Sequence, residues 1–293
     1  TPFIRINASV DVKSKTLLNP GPIKYKPSKD LPATKNKPSN FFNHSILCPV
    51  ISVNTRLTLI YKQEIDMKNI YQILGLSIIS FSFSTNIESA HHEDALLDAI
   101  NNPERNVKYS ARDNFRNPYE TLSFFKIEPT MHVLELAAGG GWYTEILAPY
   151  LKKNGKLSVT HYNPEGSGYY KRSREAYDKK VSSNPLFDGI RVITAETPPA
   201  QAFTKPETQD LVVTFRNLHN WLARDAMKSV MEEVYDSLKV GGHFGIVEHR
   251  APEGSGMKFM KSSGYVSQSL AIETALAVGF KLVATSEINA NPK

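Results

Sequence analysis

The run Val133-Leu134-Glu135-Leu136-Ala137-Ala138-Gly139-Gly140-Gly141-Trp142-Tyr143-Thr144 constrains the fold more than any other part of the chain. An apolar stretch of strand length carries one carboxylate, passes through three consecutive glycines and enters a segment of helical pattern. Glycines at such a turn accept positive φ and let a ligand come close to the main chain. A buried strand that bends sharply into a helix is the opening unit of a parallel sheet with crossover helices. In sheets of that kind ligands bind at the carboxyl ends of the strands.

The rest of the chain agrees with that unit. Apolar, β-rich runs at Met131–Ala137, Lys156–His161, Ile190–Thr194, Leu211–Phe215, His243–Glu248 and Phe280–Ser286 alternate with other patterns. Between them lie expected helices near Trp142–Lys152, Gly168–Val181, Ala223–Leu238 and Val266–Val278. The third crossover, Thr197 to Asp210, contains three prolines and reads mostly as loop. Ahead of the first run, Asn117–Phe125 starts with Pro118 near a helix N-terminus and places Tyr119, Leu122 and Phe125 on one face. The expected fold is a doubly wound, mostly parallel α/β sheet over residues 91–293.

The first 90 residues differ in character. Residues 1–66 hold ten Lys and Arg against four Asp and Glu, while residues 67–293 are balanced, so the whole net charge of +6 sits in this segment. A basic patch that points to nucleic acid is therefore not a property of the α/β part, and no nucleic-acid partner is expected. Seven of the 18 prolines also fall here, with no sustained period. The segment reads as a disordered basic leader, or as residues outside the natural protein if translation starts at Met67. From Met67-Lys68 a positive start leads into an apolar stretch, Ile70 to Phe83, and a small-residue exit at Ser84–Ala90. That is the pattern of a secretory signal peptide over residues 67–90, too short and serine-rich for a stable membrane span. The expected location is periplasmic or secreted. The single cysteine, Cys48, excludes a disulfide framework and any CxxC site, and no metal site is expected.

Two nucleotide-binding patterns compete for the glycine turn. A dinucleotide fingerprint G-x-G-x-x-G would need small residues at 137, 139 and 142, but Trp142 stands at the last of them and cannot give close helix–sheet contact. The pattern acidic-x-G-x-G-x-G is met by Glu135, Ala137, Gly139 and Gly141, with Ala137 in place of the first glycine. This is the first motif of class I S-adenosylmethionine-dependent methyltransferases. Asp210-Leu211-Val212-Val213 resembles that family's fourth strand, Leu238-Lys239-Val240-Gly241-Gly242 its turn before strand five, and Ala277-Val278-Gly279-Phe280 its turn before strand six. Gly139–Pro149, Thr214–Trp221 and Ser286–Asn291 further resemble exported, uncharacterised bacterial predicted methyltransferases. The resemblance covers about Arg112 to Lys293.

What the resemblance implies is specific. It implies a seven-stranded sheet whose last strand is antiparallel. The chain reaches Lys293 a few residues after the sixth strand, so that strand is expected to be missing, leaving an open sheet edge or gap. It implies S-adenosylmethionine as cofactor, with backbone N–H groups of Gly139, Gly140 and Gly141 around its methionine part and Glu135 on its ammonium. The Cβ of Ala137 would point toward that end. The ribose-binding acid of the family is replaced by His161, with Asn163 two residues on as the favoured ribose partner. Glu196 is a candidate near the adenine amine.

Methyl transfer needs an acceptor held in line and sometimes a base. Arg216-Asn217-Leu218-His219-Asn220-Trp221 follows the fourth strand. His219 is the candidate base, Arg216 a clamp for an anionic group, Asn217 a cofactor or substrate contact, and Trp221 a wall or cation–π partner. Glu248-His249-Arg250 offers a second set, with His249 a further catalytic candidate. Packing of the next helix is the plainer role for His219 and Trp221. The basic, aromatic run Tyr169–Glu175 reads as the wet face of a crossover helix. The expected partner is a small-molecule substrate, and the oligomeric state is open. The alternative is a non-catalytic nucleoside or small-ligand binding module on the same fold, motivated by Ala137 and His161.

Overall fold

The computed structural model describes residues 3–7 and 94–290. The expected signal peptide at 67–90 and most of the 1–66 leader lie outside the described residues.

Strand β1 is Phe3–Asn7. Residues 94–100 form helix α1. Three short helices follow: α2 (Val107–Ser110), α3 (Asp113–Arg116) and α4 (Pro118–Phe124). The α/β part then runs β2 (His132–Leu136), α5 (Thr144–Leu151), β3 (Lys156–His161), α6 (Gly168–Ser183) and β4 (Arg191–Thr194). The second half is β5 (Gln209–Phe215), α7 (Leu218–Ala223), α8 (Met227–Ser237), β6 (Leu238–Val247), β7 (Arg250–Ala251), α9 (Met257–Ser263), β8 (Val266–Ser267), α10 (Gln268–Val278) and β9 (Lys281–Ser286). Local chemistry sets several of these ends. Pro118 opens α4, where its missing N–H costs nothing. The Ser267 hydroxyl caps α10 on the Leu270 N–H, and Gly279 closes it at φ 118°.

The main sheet has the order β4-β3-β2-β5-β6-β1-β9. Strands β2 to β6 pair in parallel. The chain walks outward from β2 to β4, then returns to the other side of β2 with β5. The strand order therefore reverses between β2 and β5, which is where such sheets bind ligands. Alternate residues of each central strand enter opposite cores. Leu134, Leu136 and Val212 pack with α7, α8 and α10, whereas Val133, Leu211 and Val213 pack with α1, α4 and α5. Both faces are covered, and this is why the strands read as unbroken apolar runs.

The sheet differs from expectation at its far edge. The place of the antiparallel strand is filled by β1. It pairs antiparallel with β6 (Ile4 opposite Ile246) and with β9 (Ile4 opposite Thr285). The expected gap is absent, and residues 3–7 belong to the sheet and not to an unstructured leader. The expected helix over Ala223–Leu238 is α8, which starts at Met227; α7 is an additional helix ahead of it, separated by Arg224–Ala226 with Asp225 at φ 54°. The expected turn at 238–242 is a bulge inside β6. Gln209 pairs with Leu238 but Leu211 with His243, and Gly241 takes φ 80° to absorb the extra residues. The crossover from Thr197 to Asp210 has no helix, as its prolines require.

Candidate functional site

The glycine turn joins β2 to α5 at the point where the strand order reverses. Ala137 takes φ 49°, Gly139 59° and Gly141 80°. Ala137 is thus a left-handed residue carrying a Cβ, a conformation that costs Ala about 1–2 kcal/mol. The turn is anchored by β3: the Ala137 N–H donates to Thr160 Oγ1 at 2.8 Å and the Ala138 N–H to the Thr160 carbonyl at 3.3 Å. The Gly141 N–H is used internally, donating to the Ala138 carbonyl at 3.0 Å. The expected three-amide cradle is therefore a two-amide one. Gly139 and Gly140 keep N–H groups without a partner among the described residues.

Glu135 lies on the α5 face of β2, fully buried, and accepts from Thr144 Oγ1 at 2.6 Å. Burial pushes its carboxyl up to about 7, against the opposing pull of the Thr144 bond and the Lys180 charge. A carboxylate held this way gains most from a cation arriving beside it.

Residues 105–116 form one wall of the cleft, which the sequence alone did not reveal. Trp142 Nε1 donates to the Tyr109 carbonyl at 2.9 Å, and Tyr109 Oη donates to the Gly140 carbonyl at 3.0 Å. The Asn106 N–H donates to Glu145 Oε2 at 2.9 Å, and Arg105 pairs with Asp113 at 2.8 and 2.9 Å. Trp142 is the residue that excluded the dinucleotide pattern. Its indole now has a reason to be there, because it fastens this segment across the turn. The resulting cleft is about 620 Å³ and is lined by the glycine turn, Tyr109, Arg112, Arg116, Tyr143, Phe215, Arg216, Asn217, His219, His249 and Asn289.

On the nucleoside side the expectations need correction. His161 is buried and its ring is fully engaged. Nδ1 accepts from the Tyr162 N–H at 2.9 Å, so Nε2 carries the proton and donates to the Gly139 carbonyl at 3.0 Å. Burial lowers its pKa and keeps it neutral. His161 therefore props the glycine turn, and it also lines a small recess beside that turn. Asn163 turns away: its Oδ1 accepts from the Glu165 N–H at 3.0 Å, closing a local turn. The residue between them, Tyr162, lines both the cleft and a narrow recess on the far side of the turn. Glu196 does reach that recess, with Phe203 and Trp221 as its apolar walls. Trp221 is buried, so it combines packing with the wall role. Of the Tyr169–Glu175 run, only Arg174 is buried, paired with Asp178 at 2.8 Å. Tyr169, exposed on its outer side, contributes to the cleft.

On the chemical side the expected residues come together. Arg216 takes φ 64° as β5 ends, which turns the chain at the cleft. Asn217 Nδ2 lies 3.2 Å from the Leu136 carbonyl and 3.0 Å from Thr214 Oγ1. Its amide nitrogen thus ties β5 to β2, and Oδ1 is the part left for a ligand. His219 Nδ1 lies 3.0 Å from Glu248 Oε1, and the His219 N–H donates to Oε2 at 3.2 Å. Glu248 is buried and also accepts from the His249 N–H at 2.7 Å. With Nδ1 directed at the carboxylate, the other ring nitrogen of His219 is the one left for a ligand at the cleft. His249 lines the same cleft, its pKa lowered first by burial and then by Arg216.

No protein-family model matches the chain. No curated protein matches it. Among solved structures, a SAM dependent methyltransferase from Aquifex aeolicus is similar over 58% of this chain and 82% of its own, with 16% identity and a TM-score of 0.47. An arsenic (III) S-adenosylmethionine methyltransferase from Chlamydomonas reinhardtii is similar over 51% of this chain and 52% of its own, with 16% identity and a TM-score of 0.41. The [4+2]-cyclase SpnF is similar over 66% of this chain and 70% of its own, with 12% identity and a TM-score of 0.44. The chain spans about half the length of the Chlamydomonas protein. Likenesses at this identity concern architecture, and chemistry has to be argued from the site. The reversal of strand order between β2 and β5, with covered faces and a glycine-rich turn at that point, gives this chain a doubly wound, Rossmann-like fold.

Proposed function

We propose that the protein is an S-adenosylmethionine-dependent methyltransferase acting on a small molecule. The observation that carries this reading is one cleft holding two kinds of group. At the glycine turn, the N–H groups of Gly139 and Gly140 adjoin the buried Glu135. Across the cleft stands the His219–Glu248 pair. The first set suits a zwitterionic amino-acid tail, its carboxylate on the amides and its ammonium on Glu135. The nucleoside would lie in the large cleft along Tyr162, which also borders the adjoining recess of about 40 Å³ that holds Glu196. When bound, the cofactor supplies a methyl carbon on a sulfonium, which an acceptor takes by in-line displacement, leaving S-adenosylhomocysteine.

This chain's residues have four tasks in that reaction. Gly139 and Gly140 fix one end of the cofactor. Glu135, itself buried at the cleft wall, compensates its ammonium. His219 accepts the proton that the acceptor loses, and Glu248 holds the imidazole in the tautomer that leaves its outer nitrogen free. Segment 105–116, fastened by Trp142 and Tyr109, narrows the space in which the acceptor lies.

The test is calorimetric titration of the full chain with S-adenosylmethionine, S-adenosylhomocysteine and NAD, followed by labelled methyl transfer to small-molecule extract fractions. Binding of the first two and not of NAD, with transfer lowered by about 10²-fold or more in H219A, is expected. Binding without transfer to any fraction would instead favour a ligand-binding module, and no binding would remove the cofactor reading altogether.

We also propose export through residues 67–90, supported by the charged start, apolar run and small-residue exit of that segment. Cell fractionation of the tagged full chain tests it: recovery only in the cytosol counts against it.

A further inference from the structure

Three arginines line the cleft from two separate parts of the chain. Arg112 and Arg116 come from the segment before β2, and Arg216 comes from the end of β5. None of the three makes an ion pair with a carboxylate among the described residues. Three arginines outside the cleft are paired: Arg105 with Asp113, Arg174 with Asp178 and Arg250 with Glu287. The one carboxylate in the cleft lining, Glu135, sits at the glycine turn and is held by Thr144. The three guanidinium groups feel one another. Arg116 is half-buried, and its pKa is lowered first by burial and also by the charges of Arg112 and Arg216. Its guanidinium lies 4.7 Å from the centre of the Trp142 ring, which holds it without neutralising it.

A cofactor bearing a sulfonium adds a further positive charge to this cleft. Three unpaired guanidinium groups and a cation in one partly dry space repel, unless an anion completes the set. The walls beside the arginines are aromatic: Trp142, Tyr143 and Phe215, the last two stacked with ring centres 3.4 Å apart. The lining thus offers fork-shaped donors for an oxyanion and flat apolar surface for a ring.

We propose that the methyl acceptor is a small aromatic molecule bearing an oxyanion, either carboxylate or phosphate, which Arg112, Arg116 and Arg216 hold while His219 faces the group to be methylated. The assignment deepens the methyltransferase reading and rests on it. The anion neutralises the arginine cluster and, by the same charge, favours the cofactor's sulfonium. Acceptor and cofactor therefore bind with positive coupling, each raising the other's affinity.

The experiment titrates the full chain with benzoate, phenyl phosphate and benzamide, in the absence and presence of saturating S-adenosylmethionine, at low and high salt. Benzoate or phenyl phosphate should bind and benzamide should bind at least about tenfold more weakly, since the neutral amide lacks the charge that the guanidinium forks select. Which of the two anions binds more tightly tells carboxylate from phosphate. Binding should weaken in high salt and strengthen when S-adenosylmethionine is present. Arg112→Gln and Arg116→Gln should each weaken the anion about tenfold, while S-adenosylhomocysteine affinity stays within about twofold. Arg172→Gln, on the exposed side of α6 outside the cleft, is the control and should change nothing. Arg112 is itself exposed, so its variant tests the idea even if Arg116→Gln misfolds. Equal binding of benzoate, phenyl phosphate and benzamide, binding of none of them, or full anion affinity in Arg112→Gln would overturn the proposal. Loss of S-adenosylhomocysteine binding by the unaltered chain would instead strike the cofactor reading on which it rests.

Discussion

His219 and Glu248 form a bonded pair across the ends of two neighbouring strands, with Nδ1 3.0 Å from Oε1. Glu248 follows β6 and is buried, whereas His219 lies in the first turn of α7 and opens on the cleft. The carboxylate is thus a fixed part of the sheet end, and the imidazole is the part that meets ligand. His219→Ala is expected to lower methyl transfer by about 10²- to 10⁴-fold, the usual worth of a positioned base. Glu248→Gln should lower it less, because the amide keeps a bond to the ring but no longer enforces one tautomer. Both should leave S-adenosylhomocysteine affinity within about twofold. Single-turnover rates with the identified acceptor decide the matter, and an H219A rate near that of the unaltered chain removes the base from the mechanism.

Glu135 makes stability depend on pH. Its carboxyl holds a proton up to about 7 in the folded chain, against 4.5 as the ordinary value. Between those values the folded state binds more protons than the unfolded state, so stability falls as pH rises through that window. The loss is at most about 3 kcal/mol. Denaturant unfolding across the window should show this decline, and Glu135→Gln should flatten it. S-adenosylhomocysteine affinity should run the other way, rising as Glu135 ionises, because its ammonium prefers the charged carboxylate. A flat affinity profile that Glu135→Gln does not alter would separate Glu135 from the ligand.

Ala137 stores strain at φ 49°. Glycine removes the Cβ conflict, worth about 1–2 kcal/mol, but returns about 0.5–1 kcal/mol of chain entropy to the unfolded state. Ala137→Gly should therefore stabilise the protein by about 0.5–1 kcal/mol in urea unfolding. A destabilised variant would mean that the methyl group packs against something of value.

Gly140 is limited by a single contact. A Cβ there would fall 2.4 Å from Tyr109 Oη, with the ring carbon Cζ already at 3.5 Å. Gly140→Ala should drive off the tyrosine hydroxyl, break its bond to the Gly140 carbonyl and cost about 1–2 kcal/mol. Combining it with Tyr109→Phe should restore part of that loss, since only the hydroxyl collides. A double-mutant cycle with no coupling would show that the conflict is relieved elsewhere.

Strand β1 holds β9 to the sheet, for each pairs directly with it and β6 does not touch β9 in the ladder. Ile4→Pro removes a backbone donor from a strand paired on both sides. It should destabilise the sheet through the lost ladder bond, by about 1 kcal/mol or more, and expose β6 as an open edge prone to association. Thermal melting with light scattering reads both effects. A variant that melts as the unaltered chain does would place the pairing of β1 in doubt.

Much of this protein is written in local order. The strands over 132–136, 156–161 and 281–286 follow from apolar, β-rich runs, and the ends of α4 and α10 from Pro118, Ser267 and Gly279. The glycine turn and the polar run after β5 announce a ligand site because those residue types at a strand end have few other uses. What the sequence could not determine is which way a side chain faces once the strand has ended. His161, Tyr162 and Asn163 are consecutive, yet His161 is tied to the Gly139 carbonyl beside the small recess, Asn163 is tied to the Glu165 N–H, and of the three Tyr162 alone lines the large cleft. Nor does spacing bring Arg112 and Arg116 to Arg216, a hundred residues on, or β1 between β6 and β9. Such meetings depend on long-range packing, on Trp142 fastening a distant segment and on β6 and β9 leaving backbone groups that some strand must satisfy. Local sequence sets the periods and the turns; only the closed sheet and its covering segment decide which side chains share one space.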